Sequence, residues 1–237
     1  ARVLRRLAAV KATPLHELGR DFHLDRDPAG GPAQYRGPGG DLQLPPLPLQ
    51  GAHQEENAAL ALALTGLLPE PLRPSPAARI EGLATVSWPG RMELLPGPPP
   101  VLLDCGHNPQ AVDTLLAALR SIPRRRTILV LAAMADKELG WIVPALVSAC
   151  DHAIVTAVAY YRGADPALLV RHVPEAWRAR VEIAPDVPAA LARAHELAGP
   201  DDLILVAGSV FLVGEARAAL LGEPGDPVKV TDPVAVR

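Results

Sequence analysis

The sequence predicts an α/β fold with a mostly parallel six-stranded sheet and helices on both of its faces. From about residue 88 onward, short apolar runs alternate with segments of helical periodicity, as expected for repeated β-α-β units. Strands of such units are covered on both faces and are therefore apolar throughout. The first two runs stand too close together for a crossover helix, so we expect them to pair antiparallel.

The first part of the chain differs in composition. Residues 1–50 are rich in Gly and Pro, and two short runs at 33–36 and 41–44 flank Gly-Pro-Gly-Gly. Two such runs around a glycine-rich turn predict a β-hairpin. The sequence begins with Ala inside a stretch that resembles a helix, and we expect it to be a piece of a longer protein, with N-terminal processing as the open alternative.

A helix and a linker follow the hairpin. Apolar residues cover every side of a helix over 53–68, which favours a buried helix. A proline-rich linker at 69–76 leads to a short helix at 77–82. The change in composition after this helix predicts two domains, 1–86 and 87–237, of which the second is Rossmann-like.

The remaining elements are assigned from their periodicity. The apolar runs predict strands at 92–95, 101–104, 127–132, 153–157, 181–183 and 203–207. The segments of helical periodicity predict helices at 109–119, 137–149, 166–172, 187–197 and 210–221. In the first of these helices, Ala111, Val112, Leu115, Leu116 and Leu119 form the apolar stripe that should pack on the sheet.

Composition excludes several classes of function. The net charge is −3, and Arg124-Arg125-Arg126 is a short run that we expect in a solvated loop, so nucleic acid is not an expected partner. Cys105 and Cys150 form no metal-binding spacing, and no metal ligands are assigned in this chain. Neither a signal peptide nor an apolar stretch of membrane-spanning length is present. We therefore expect a cytoplasmic monomer with reduced thiols that does not bind membranes.

Polar residues collect where the second predicted strand ends, at Asp104-Cys105-Gly106-His107-Asn108. Ligands of open α/β sheets bind beyond the carboxyl ends of the strands, and Asp104 lies at such an end. Asn108 is suited to cap the next helix, and Gly106 allows a tight turn or a close ligand. His107 is available for an anionic substrate. The open alternative is that Asp104 and Asn108 only satisfy backbone groups of the turn.

Six motifs resemble, in order, those of folylpolyglutamate and dihydrofolate synthases of the Mur ligase superfamily. The strongest is LDCGHNP at 103–109, which resembles the family's LDGAHNP. The others are LGRDF (18–22), GAHQEENAALAL (51–62), WPGRMELL (88–95), MADKE (134–138) and AGSVFLVGEAR (207–217). The sequence departs from the family where Cys105-Gly106 replaces Gly-Ala and where Glu138 replaces the common Asp.

The resemblance implies an ATP-dependent ligase. In this family a carboxylate of folate or dihydropteroate is phosphorylated to an acyl phosphate, which the amine of L-glutamate then attacks. The family's P-loop, its magnesium ligands and its modified lysine belong to an ATPase domain. The sequence contains no G-x-x-x-x-G-K-[ST] match. We therefore expect residues 1–86 to be the end of that ATPase domain, and the chain to be inactive alone.

Three residues are matched to the nucleotide. Asn57 corresponds to the family's contact with adenine, Arg91 to its contact with the ATP phosphates, and Asp104 to its contact with the ribose. An arginine suits phosphate because it is always charged and binds two oxygens at once. The open alternatives are a buried Asn57 paired with the backbone and an Arg91 that is only a surface residue.

Three residues are matched to glutamate: His107, Lys137 and Ser209. His107 is also the candidate catalytic residue, since it is expected to bind a carboxylate or orient the amine. Lys137 and Ser209 are matched to contacts with the carboxylate of the incoming amino acid. The open alternatives are a solvated Lys137 and a Ser209 that only caps a helix. A role for Arg162 stays open as well.

Two other functions remain as alternatives. The chain fits a non-catalytic Rossmann-like module that binds a nucleotide or an amino acid. It also fits another ligase of the superfamily, such as a peptidoglycan-precursor enzyme. The HQEEN helix and the W-P-G-R motif favour the folate branch.

Overall fold

The computed structural model describes residues 2–26, 31–51 and 53–224. The chain divides into two compact units, Ala1–Ser87 and Trp88–Arg237. Each unit has its own hydrophobic core. In the described part of the chain, no helix combines the length and apolar character that crossing a membrane requires.

The first unit packs a small antiparallel sheet against helices. It contains α1 (Arg2–Val10), β1 (His23–Asp25), β2 (Gln34–Arg36), β3 (Leu42–Gln43), α2 (His53–Gly66) and α3 (Pro76–Thr85). The predicted hairpin is confirmed as β2 and β3, which pair Gln34 with Gln43 and Tyr35 with Leu42. Strand β1 was not predicted and pairs with β2.

The prediction that α2 is buried on every side is wrong for the described residues. Ala59 and Leu62 pack in the core with Phe22 and Tyr35. Leu64, on the other hand, is 67% exposed. The helix therefore buries one face only, although its composition is apolar all round.

The second unit is the predicted α/β sheet with six strands. Their order is β4-β5-β9-β6-β7-β8. The strands are β4 (Glu93–Leu95), β5 (Val101–Asp104), β6 (Thr127–Leu131), β7 (His152–Val155), β8 (Val181–Ile183) and β9 (Leu203–Ala207). Strands β4 and β5 pair antiparallel, as predicted, and the other pairs are parallel.

Helices cover both faces of this sheet. They are α4 (Pro109–Leu119), α5 (Leu139–Ser148), α6 (Pro166–Arg171), α7 (Val187–Leu197) and α8 (Val210–Leu221). One core layer contains residues of α4, α5 and α6, and the other contains residues of α7 and α8. Successive strand residues alternate between the layers, as Leu102 and Leu103 do. This double covering explains why the central strands β6 and β9 are buried along their whole length.

Several predicted boundaries are wrong by one to three residues. Helix α2 ends at Gly66 and not at 68, and α3 spans Pro76–Thr85 and not 77–82. Helix α5 begins at Leu139 and not at 137, because Lys137 lies in a turn where its N–H donates to the carbonyl of Met134 at 3.2 Å. Strand β7 ends at Val155 and not at 157.

Candidate functional site

Three neighbouring strands end at the same level of the sheet. Asp104 of β5 pairs with Ala207 of β9, and Ala207 pairs with Leu131 of β6. Adjacent strands lie about 4.8 Å apart, so the three loops that follow them start close together. Helix α4, which follows β5, packs on one face, and α8, which follows β9, packs on the other. Such a change of face opens a crevice where α/β sheets bind ligands.

The Asp104 carboxylate holds two turns together. Its Oδ1 accepts a hydrogen bond from the N–H of Gly106 at 2.8 Å, and its Oδ2 accepts one from the N–H of Met92 at 3.1 Å. Asp104 is only 7% exposed. A Cβ at position 106 would lie 2.8 Å from Asp104 Oδ1, so a side chain there would require this carboxylate to shift. The carboxylate therefore satisfies backbone groups, as the alternative interpretation expected.

His107 is half-buried, and its tautomer follows from its contact. Its Nδ1 lies 3.0 Å from the carbonyl oxygen of Cys105. Because a carbonyl only accepts, Nδ1 carries the proton, and in the neutral ring Nε2 keeps a lone pair. Among the described residues, Nε2 has no hydrogen-bond partner, so it is available to a substrate. Asn108 caps α4 as predicted, and its side chain accepts from the N–H of Ala111 at 2.9 Å.

Ser209 begins α8 at the end of β9. The preceding Gly208 has a φ of +113°, and a Cβ there would lie 2.6 Å from the carbonyl oxygen of Ala132. Only glycine fits this backbone and this space. Ser209 is 2% exposed, and its hydroxyl accepts from the N–H of Phe211 at 3.1 Å. It is thus a helix cap whose hydroxyl proton is still available for donation.

Lys137 lies in the loop after β6 and is half-buried. Its neighbour Asp136 forms an ion pair with Arg162 from the loop after β7, and the N–H of Ala135 donates to the carbonyl of Arg162 at 3.0 Å. The hydrogen bond from Arg162 lowers the pKa of the Asp136 carboxyl below its usual value. Arg162 therefore joins the two loops.

Arg91 lies in the turn formed by residues 88–92, which we call the Arg91 turn. Its side chain is exposed and forms no ion pair with the described residues. The carboxylate of Glu93 accepts from the N–H of Gly90 at 2.7 Å and from Nε of Arg217 at 3.1 Å. Glu93 and Arg217 lie in the WPGRMELL and AGSVFLVGEAR motifs, and the sequence alone predicted no role for either residue.

Asn57 belongs to the first unit and lies on α2. It is exposed, and its Nδ2 donates to Oε1 of Gln54 at 3.1 Å. The alternative of a buried Asn57 paired with the backbone is therefore wrong.

The two cysteines are buried, and their environment makes them weak nucleophiles. Burial raises the pKa of the Cys105 thiol to about 11 and that of the Cys150 thiol to about 12. Among the described residues, no three His, Cys, Asp or Glu side chains are grouped closely enough to hold a metal ion.

A doubly covered sheet with polar loops at its change of face defines a Rossmann-like ligand-binding domain. Residues 90–210 match the family described as "Mur ligase, glutamate ligase domain". The chain belongs to the Mur ligase family, as the sequence motifs predicted.

Several known proteins are similar to the chain. The "Probable bifunctional folylpolyglutamate synthase/dihydropteroate synthase" of Haloferax volcanii is 38% identical over 72% of this chain and 20% of its own length. The "UDP-N-acetylmuramyl-tripeptide synthetase" of Leifsonia xyli subsp. xyli is 34% identical over 73% of this chain and 35% of its own length.

A solved structure is similar over almost the whole chain. It is that of Mycobacterium tuberculosis folylpolyglutamate synthase complexed with ADP. The TM-score is 0.81 and the sequences are 28% identical, over 95% of this chain and 53% of that chain. The chain thus spans about half of this relative and much less of some others.

Proposed function

We propose that this chain is the carboxyl-terminal ligase part of an ATP-dependent enzyme that joins L-glutamate to folate or dihydropteroate. The acceptor carboxylate is first phosphorylated by ATP, and the glutamate amine displaces phosphate from the acyl phosphate. The observation that carries this proposal is the common level at which β5, β9 and β6 end, since His107, Ser209 and Lys137 follow these three strands.

The three residues suit glutamate chemically. Lys137 supplies a positive charge, and Ser209 supplies a hydroxyl donor, for the α-carboxylate. Nε2 of His107 accepts a hydrogen bond from the amino group and takes its proton as the amine attacks, since Nδ1 already carries the ring's proton. A proton acceptor is needed because an ammonium group has no lone pair for attack.

The residues assigned to ATP fit a nucleotide to different degrees. ATP would supply the phosphoryl group that activates the carboxylate. The exposed guanidinium of Arg91 fits a phosphate contact. The carboxylate of Asp104 accepts two backbone N–H groups at the end of β5, and its assignment to the ribose is supported by its place in the LDCGHNP motif. Asn57 carries an exposed amide suited to adenine.

We infer that residues 1–86 belong to the ATPase domain and that 87–237 form the ligase domain. The proposal places the Mg²⁺ ligands and the P-loop upstream of this chain. The chain alone should therefore release no phosphate when mixed with ATP, Mg²⁺, L-glutamate and dihydropteroate. Phosphate release at the rate of an intact homologue would contradict this inference.

The ligase function is tested with the full-length gene product. We expect ATP-dependent incorporation of labelled glutamate into folate or dihydropteroate. The variant His107→Ala should abolish this incorporation, and Lys137→Met should raise the KM for glutamate while the KM for ATP stays unchanged. The control Lys11→Met changes a lysine on the other unit and should have no effect. Full activity of both His107 and Lys137 variants would overturn the assigned roles.

A second candidate is a ligase that acts on a peptidoglycan precursor. It is favoured by the match to the muramyl-tripeptide synthetase. A panel of acceptors separates the two functions, because a uridine-linked muramyl peptide would replace folate as substrate. If the full-length protein accepts neither, the non-catalytic binding module becomes the better interpretation.

A further inference from the structure

The Arg91 turn contains two residues with positive φ, and one of them is not a glycine. Gly90 has a φ of +73°, and Met92, which is not a glycine, has a φ of +48°. A non-glycine residue keeps such a conformation only where its surroundings enforce it. A Cβ at position 90 would lie 2.6 Å from Cγ1 of Val213 and 2.9 Å from Sγ of Cys105. The turn is therefore pressed against α8 and the loop after β5.

Hydrogen bonds fix the turn on both sides of Arg91. The N–H of Gly90 donates to Glu93 Oε2 at 2.7 Å, and its carbonyl accepts from the N–H of Cys105 at 2.8 Å. After Arg91, the N–H of Met92 donates to Asp104 Oδ2 at 3.1 Å. The backbone is thus held while the guanidinium of Arg91 stays exposed.

Glu93 is itself held in place by α8. Nε of Arg217 donates to both oxygens of its carboxylate, at 3.1 and 3.2 Å. Only 25% of the Arg217 side chain and 21% of the Glu93 side chain are exposed, so the ion pair is partly shielded from water. Arg217 also pairs with Glu223 at 2.6 Å.

We propose that Arg217 and Glu93 are positioning residues that hold the Arg91 turn in the conformation in which Arg91 meets the nucleotide phosphates. This inference rests on the phosphate role proposed for Arg91. Helix α8 is capped by the proposed glutamate contact Ser209 and carries Arg217 about two turns later, so one rigid helix supports the contacts to both substrates.

The test compares Arg217→Met with two controls in the full-length protein. Glu223→Gln removes the other partner of Arg217 and leaves Glu93 untouched. Arg193→Met removes an arginine that pairs with Glu182 and Glu196 and makes no contact with the turn. We expect Arg217→Met to lower kcat/KM for ATP roughly 10- to 100-fold, as misplaced contacts do, with an unchanged KM for glutamate. Both controls should behave like the wild type.

A second measurement does not depend on activity. Amide hydrogen exchange of Gly90 should become faster in Arg217→Met, because Glu93 is no longer oriented toward its N–H. Exchange in the central strand β9 should not change. Arg217→Lys, which keeps the charge, should recover part of the protection. Faster exchange throughout the unit would mean a general loss of stability and would overturn the positioning role.

A double variant separates this inference from the proposed function. If Arg217 acts through Arg91, the variant Arg91→Met/Arg217→Met should be no worse for ATP than Arg91→Met alone. Additive losses would overturn the positioning role while leaving the ligase function intact. If Arg91→Met itself leaves ATP kinetics unchanged in an active ligase, the phosphate role of Arg91 is wrong and the inference falls with it.

Discussion

Replacing Asp104 by Asn should destabilise the unit Trp88–Arg237 by about 3 kcal/mol. The carboxylate accepts N–H groups from Gly106 and Met92, and it is 7% exposed. An amide keeps one acceptor oxygen and turns a donor NH₂ toward the other N–H. The loss of one charge-assisted hydrogen bond costs roughly 2 kcal/mol, and the donor left without a partner adds about 1 kcal/mol.

Urea unfolding followed by tryptophan fluorescence measures this loss. The three tryptophans, Trp88, Trp141 and Trp177, all belong to the second unit, so the signal reports on that unit alone. With a slope of about 2.5 kcal/mol per molar urea, the midpoint should fall by about 1 M.

The matched control is Asp186→Asn. Asp186 caps α7 from an exposed position, and asparagine caps a helix as well as aspartate does. Its midpoint should equal that of the wild type. A midpoint of Asp104→Asn within about 0.2 M of the wild type would show that the two backbone contacts contribute little, and the reasoning would be refuted.

Three further predictions concern the same unit. Gly208→Ala should cost about 2 to 4 kcal/mol, because its φ of +113° and its contact with a carbonyl oxygen exclude a Cβ. Gly214→Ala, which meets no atom within 4 Å on α8, should instead gain about 0.5 to 1 kcal/mol in urea unfolding; equal effects of the two would contradict this. Hydrogen bonds from Arg126 and Arg125 lower the pKa of the buried Asp202 carboxyl. The pKa of Asp202 in the folded state lies below its unfolded value of about 4. The ionised carboxylate therefore stabilises the fold above pH 4, and this stabilisation is lost as the pH falls further. The urea midpoint should thus drop more steeply below pH 4 in the wild type than in Asp202→Asn, and parallel curves would refute the assignment. Finally, Cys105, whose pKa burial raises to about 11, and Cys150 should not react with a thiol reagent at pH 8 until urea is added. Rapid labelling of the native chain would contradict this.

The sheet was predictable because most residues of its strands are apolar, and β9 is apolar over its full length. The bounds of α4, α7 and α8 were predicted to the residue, and each of these helices starts after a side chain that caps it, namely Asn108, Asp186 and Ser209. Strand β1 was missed because it is three residues long and its two end residues are exposed, so no apolar pattern marks it. Apolar runs and capping residues therefore account for the strands and helices that were predicted, and the lack of such a signal accounts for the missed strand β1.

Contacts of the candidate site were predictable from residue spacing only where the two partners are close in sequence. In the turn from Asp104 to Asn108, the contacts Gly106–Asp104, His107–Cys105 and Ala111–Asn108 join residues two or three positions apart, so residue types and spacing describe them. The pair of Arg217 and Glu93 joins residues that are 124 positions apart. Neither motif reveals which of the chain's 26 acidic residues Arg217 meets. That choice follows from the packing of α8 beside the Arg91 turn, which only the tertiary structure provides.

Asp104 can satisfy backbone N–H groups and contact a ribose at the same time. A variant of Asp104 must therefore be compared with a variant that disturbs the turn alone. Its carboxylate holds the backbone of the Arg91 turn through Met92, so Asp104→Asn lowers activity whether or not a ribose hydroxyl binds there. The positioning role proposed for Arg217 predicts that Arg217→Met loosens the same turn, while Asp104 stays intact. If Asp104 also contacts the ribose, Asp104→Asn should lose more nucleotide affinity than Arg217→Met does. The comparison is made under conditions in which the Gly90 amide exchanges at the same rate in both variants. If the affinities are equal once the turn is equally loosened, Asp104 acts on the nucleotide only by positioning Arg91.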